Sequence, residues 1–198
     1  MIGDCGHLEG LVPVSAVAYN DNFIVGLSLF WVRLGLIKGG EGSFAGVNAG
    51  ITLNQTFATA YGGVRIPTAN PDWSVYATLG ARYFNVNGSL ELQTNFGGYS
   101  RFASQGKEWV DEIVGLKARH RIDDKWFIDF ETDVGGYHGS ATALAYGAVG
   151  YKWNQSLTTS LGYRVFYAYY QTPANSGSGS FRFQETMFGP QFNTTYTF

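Results

Sequence analysis

The stretch WFIDFETDVGG, residues 126–136, decides the fold class. Its even positions carry Trp126, Ile128, Phe130, Thr132 and Val134, while its odd positions include Asp129, Glu131 and Asp133. Side chains alternate faces along a strand, so the segment has one apolar face and one acidic face. A helix would scatter the same groups around its circumference. The segment therefore reads as a β-strand whose two sides meet different surroundings.

The same period recurs on both sides of it. In 157–169, Leu157, Leu161, Tyr163, Val165, Tyr167 and Tyr169 oppose Thr158, Ser160, Gly162 and Arg164. In 73–83, Trp73, Val75, Ala77, Leu79, Ala81 and Tyr83 oppose Ser74, Thr78, Gly80 and Arg82. In 110–121, Val110, Val114, Leu116 and Ala118 oppose Asp111, Gly115, Lys117, Arg119 and Arg121, with Glu112 and Ile113 out of phase. Residues 23–35 and 55–66 read as further strands. Residues 142–153 are too rich in Ala and Gly for a facing to be assigned. Asp123-Asp124, Asn154-Gln155 and PTANPD (67–72) are short polar turns. Residues 87–107 read as a long polar loop, and TPANSGSGS (172–180) as a connection flexible by composition. Short connections alternate with long ones, as the two ends of an outer-membrane barrel require.

Composition agrees with that reading. The 198 residues suit one domain or two small ones. Charged residues make up only 14%, against about 25% in ordinary proteins. Aromatic residues reach 17% and glycine contributes 27 positions, which suits a β-protein whose outer surface need not be wetted. The net charge of −2 gives no support for nucleic-acid binding. Cys5 is the single cysteine, so no internal disulfide and no cysteine-based metal cluster can form, and it reads as an incidental thiol. The opening MIGDCGHLEG has neither a basic start nor an apolar core. The most apolar run, Phe23–Ile37, contains Arg33 and falls short of the roughly 20 residues of a transmembrane helix.

The rationing of charge suggests which face is which. A water-soluble barrel would spend Lys and Glu freely outside, yet the polar faces here are mostly Ser, Thr, Gly, Asn and Gln. The aromatic face is therefore assigned to lipid and the small polar face to the lumen. This turns Arg65, Arg82, Lys117, Arg119 and Arg164 inward, together with Asp111, Asp129, Glu131, Asp133 and Glu185. Confined charges are costly unless paired, so these residues are expected to form a structural ion-pair network. A selectivity constriction or a catalytic carboxylate cluster is the sharper alternative.

The end of the chain, ETMFGPQFNTTYTF (185–198), places Phe188, Phe192, Thr194, Tyr196 and Phe198 on one face. Its terminal aromatic and the residues two apart, with Phe192, Tyr196 and Phe198 foremost, resemble the C-terminal assembly signature of bacterial outer-membrane proteins. From Trp109 onward the chain resembles a family of largely uncharacterised Gram-negative outer-membrane β-barrel proteins. The resemblance lies in WVDEIVGLKAR (109–119), DVGGYHGS (133–140), GYR (162–164) and Gly189-Pro190, with AYGGVRI (60–66) and LGARYF (79–84) upstream. It implies an integral barrel in the bacterial outer membrane and brings no established activity. Its implied partners are outer-membrane lipid and the barrel-assembly machinery.

The expected fold is thus an all-β, transmembrane, antiparallel up-and-down barrel over 21–198, preceded by a segment of uncertain structure at 1–20. Eight strands are favoured. Ten follow if 44–66 splits near Asn54 and Leu11–Tyr19 adds a strand.

No cofactor, metal site or catalytic set is expected. His7, His120 and His138 are scattered without ligand spacing. His138-x-Ser140 resembles the catalytic pair of lipid A deacylase barrels, but no acid follows between Ala141 and Trp153 to orient a base, and Ser140 reads as a loop serine. The expected function is a structural or partner-contacting barrel with a filled lumen, its protein partner unknown. A narrow, porin-like channel for small solutes and a lipid-modifying enzyme are the alternatives. An eight-stranded barrel is only just wide enough for its own side chains, which argues against free diffusion.

Overall fold

The structure, a computed structural model, describes residues 7–38, 47–94, 100–172 and 181–197. They form nine strands and no helix: β1 (His7–Tyr19), β2 (Phe23–Lys38), β3 (Val47–Ile66), β4 (Trp73–Thr94), β5 (Ser100–Arg121), β6 (Trp126–Gly136), β7 (Ser140–Lys152), β8 (Leu157–Gln171) and β9 (Arg182–Tyr196). The strands lie in one antiparallel up-and-down sheet, in the order of the chain.

Two departures from the sequence reading have plain causes. The ninth strand is β1, in the segment expected to be of uncertain structure. Its apolar residues Val12, Val14 and Val17 change phase, and Pro13 interrupts the run, so the period is hidden. Proline lacks an N–H and is tolerated at the margin of a sheet, where β1 stands. Residues 47–66 do not split at Asn54; β3 runs straight through it. The second departure is the long loop assigned to 87–107. Residues 87–94 extend β4 and 100–107 extend β5, while 95–99 lie outside the described residues. The ladder is made by backbone groups, so polar side chains can ride on it; Asn85 donates from Nδ2 to Glu108 Oε1 at 2.9 Å along this hairpin.

The chain divides into two compact units. The first holds Met1–Ala16, Leu27–Thr59 and Arg82–Trp109. Its core is an aromatic row. Phe30 stacks on Phe57 at 5.9 Å, Phe57 meets Phe84 edge-on at 5.2 Å, and Phe84 stacks on Trp109 at 4.7 Å. Phe84 and Gln55 are fully buried. The expectation of a mostly small, polar inward face therefore fails in this unit, and the second unit buries Phe127, Leu144 and Phe166 as well. Aromatic rings in series fill the space that Ser and Gly were expected to line.

The second unit holds Val17–Gly26, Ala60–Ala81 and Val110–Phe198. Here the alternation is plain. Val114, Leu116, Phe130, Val134, Leu161, Tyr163, Phe188 and Phe192 are exposed, whereas Asp111, Ile113, Phe127, Asp133, Leu144, Phe166 and Ala168 are buried. The unassigned strand β7 joins the pattern: Thr142, Leu144 and Ala148 are buried, and Val149 is exposed. Register locks this facing, because a slip of one residue would turn every side chain over.

Four tight turns of this unit share one device. The side-chain oxygens of Asn20, Asp123 and Asn154 each accept two backbone N–H groups, two and three residues on, at 2.7–2.9 Å. Asn70 Oδ1 accepts the Asp72 N–H at 2.9 Å. Such Asx turns reverse the chain in few residues and set the register of the strands that follow.

Candidate functional site

The ladder of β5–β9 sets two rows of side chains on the buried face. The first runs Lys117, Glu131, Tyr146, Arg164, Gly189; the second runs Arg119, Asp129, Ala148, Gly162, Gln191. Directly opposite residues on neighbouring strands touch, so oppositely charged residues in one row pair without reaching. Lys117 Nζ lies 2.5 Å from Glu131 Oε1. Arg119 binds Asp129 with two prongs, Nε to Oδ1 at 2.7 Å and Nη2 to Oδ2 at 2.9 Å. Each cation also lies against an aromatic ring: Lys117 4.2 Å from the Tyr61 centroid, Arg119 4.2 Å from that of Phe127. Such contacts add about 0.5–1 kcal/mol each at exposed sites, more where water is excluded.

The remaining residues of the expected network fall elsewhere. Arg164 stands on the first row, its guanidinium 5.7 Å from the Tyr146 ring. Asp111 is fully buried, and its Oδ1 is hydrogen-bonded to the Ser140 hydroxyl. Ser140 Oγ in turn accepts the Tyr137 N–H at 2.8 Å. Asp133 is buried opposite Gly115 and Leu144. Glu185 is half-buried opposite Ala168. Arg65 reaches the Asp21 carbonyl from Nη1 at 3.4 Å, near the tight turns. Arg82 belongs to the first unit, where it is buried and donates from Nε to Thr59 Oγ1 at 3.0 Å. Phe192 and Tyr196 are exposed at 68% and 61%, and Phe198 lies outside the described residues.

His138 and Ser140 are engaged by different neighbours. His138 sits at the β6–β7 turn with φ 45°, its ring edge-on to Tyr137 at 4.1 Å. Ser140 Oγ is engaged by Asp111 and Tyr137, and among the described residues no hydrogen bond joins it to His138.

Several participants escape the sequence reading. Tyr146 lies in the Ala- and Gly-rich strand whose facing could not be assigned. Tyr61 shares the parity of Arg65, a signal that was present. Asn193 donates from Nδ2 to Tyr146 Oη at 2.7 Å. Asp72, read only as a turn residue, pairs with Arg121 at 2.8 Å. Phe127 is the largest omission, since its odd position marks it as inward beside Asp129.

Comparison with known proteins finds no family model that matches the chain and no curated protein that matches it. The family resemblance stands on its short motifs alone.

Proposed function

We propose that this protein is an integral barrel of the bacterial outer membrane, its interior filled by paired charges, acting as a structural or partner-contacting component rather than as an enzyme. One observation carries the reading. The exposed faces of β5–β9 are mostly apolar and aromatic, with Glu112 and Arg182 among their charges, while the Lys117–Glu131 and Arg119–Asp129 pairs lie on the other side. Water would favour the reverse, whereas a bilayer requires this order.

Further features support it. Trp126, Trp153 and Tyr196 are exposed beside the tight turns, where an interfacial girdle belongs. From Trp126 to Val134 the apolar side of β6 extends roughly 27 Å along the strand, at about 3.4 Å per residue. Tilted strands of that length suit an apolar band about 25 Å tall. Phe192 and Tyr196 lie on the exposed side of β9, where assembly machinery that reads the last strand would meet them. In lipid, backbone groups along the outer edges of β1 and β9 also need partners, so the reading requires the sheet to close or to meet a further strand.

The test is insertion and conductance. The purified full chain is reconstituted into a planar bilayer beside Arg119→Ala. Verified insertion without current steps from either protein is the expected result and favours a filled lumen. Steady steps altered by Arg119→Ala would replace it with a channel. A protein folded in plain buffer that never inserts would overturn the membrane assignment.

A further inference from the structure

We propose that Arg164 anchors a binding site for an oxyanion, the carboxylate or phosphate group of a small solute, on the buried face of β7–β9. Each neighbouring cation of the two rows has its acid, Lys117 with Glu131 and Arg119 with Asp129. Arg164 has none among the described residues. Its Nε is buried and makes no hydrogen bond. A buried donor without a partner is costly, and a guanidinium held so is poised for an acceptor from outside the chain.

A space lies beside it. Gly189 is opposite Arg164 in the ladder, and a Cβ built there would meet no atom within 4 Å. Some glycines of the sheet are open like this one, with Gly62, Gly88 and Gly147 meeting atoms only at 3.8–4.0 Å, and others are closed. A Cβ at Gly150 would collide with the Phe127 ring, and one at Gly162 with the backbone of β7. Polar groups further along the same face are held to one another. Asn193 Nδ2 donates to Tyr146 Oη at 2.7 Å and approaches Ser160 Oγ at 3.4 Å, while Gln191 Nε2 donates to Asn193 Oδ1 at 2.7 Å. The Tyr146 hydroxyl accepts from Asn193 and is also hydrogen-bonded to Ser160.

The planar fork of a guanidinium matches the geometry of a carboxylate or phosphate oxygen pair. Glu131 shares the row but is held by Lys117, and Tyr146 stands between it and Arg164. Among the described residues no nucleophile paired with a base flanks the space, and the site is proposed to bind rather than transform.

The inference rests on β7–β9 and not on the membrane reading; failure of insertion and failure of anion binding are separate outcomes. The experiment is calorimetric titration of the full chain in detergent micelles with inorganic phosphate and, separately, acetate. Chloride holds the ionic strength constant. Saturable binding of either anion is expected, and the tighter one identifies the source. Arg164→Gln weakens it at least tenfold. Gly189→Leu, which fills empty space and leaves the fold intact by heat-shifted gel mobility, weakens it likewise. Arg182→Gln, exposed on β9, leaves it unchanged. No saturable binding of either anion, or equal binding in Gly189→Leu, overturns the proposal.

Discussion

Arg119 and Asp129 face each other across the β5–β6 ladder in a two-pronged ion pair, with the Phe127 ring beneath the guanidinium. One row away, Lys117 and Glu131 make a single contact. The two pairs differ in what surrounds them. The Arg119 side chain is 51% exposed, whereas that of Lys117 is 18% exposed.

That difference ranks two substitutions. Arg119→Ala removes an exposed cation and is expected to cost about 1 kcal/mol or less, since screened pairs contribute little. Lys117→Ala removes the cation beside Glu131 in a less solvated place and is expected to cost roughly 2 kcal/mol. Urea unfolding of both variants in lipid vesicles measures the order. Equal losses would mean that solvent reaches both rows alike.

Gly150 is expected to resist any side chain. A Cβ there would land on the Phe127 ring, which is buried and carries Arg119. Gly150→Val should cost about 1–3 kcal/mol through overpacking. The shift should be larger than that of Gly147→Val, whose added Cβ would lie in ordinary contact with Phe130 at 3.8 Å. Thermal midpoints of the two variants make the comparison.

The β5–β6 turn should weaken in acid. Two backbone N–H groups, of Trp126 and Lys125, hold the Asp123 carboxyl below its ordinary range. A carboxylate lowered by folding contributes stability above its unfolded pKa, about 3.9, and loses it as pH falls through the folded value. Amide exchange at Trp126 should therefore accelerate at the acid end of that window. Asp123→Asn keeps the acceptor and removes the titration, so its exchange should lack that added acceleration. Parallel behaviour of both proteins would place the acid sensitivity elsewhere.

Phe188 offers a test of solvent. It is 71% exposed on the outer side of β9. In lipid, Phe188→Arg should cost about 2–4 kcal/mol near mid-height and slow insertion into vesicles. On a wetted surface the same change would be neutral or would raise solubility. Insertion yield against vesicle concentration separates the two, and unimpaired insertion would count against the lipid-facing assignment.

Much of this was legible in the residues themselves. The period of two at 126–136, repeated at 110–121 and 157–169, specified strands and the division of each into an apolar and a polar side. That information is local, because alternate side chains of a strand must point apart. The small share of charge suggested that the apolar side stands exposed. The strand β1 was legible only as the alternative over Leu11–Tyr19, since Pro13 and a change of phase weaken the period. The polar ends of β4 and β5 were not legible, because there backbone pairing and not side-chain pattern makes the strand.

The partners within the candidate site belong to the tertiary structure alone. Lys117, Glu131, Tyr146 and Arg164 lie far apart in the chain, and only the register of three successive ladders puts them in one row. Register is set by tight turns such as those at Asp123 and Asn154 and by the burial of a whole face, so it is a property of strands together. The sequence by itself determined that most charges of β5 and β6 would gather on one side of the sheet. The folded sheet decided which cations meet an acid, and that Arg164 stands beside the empty space over Gly189.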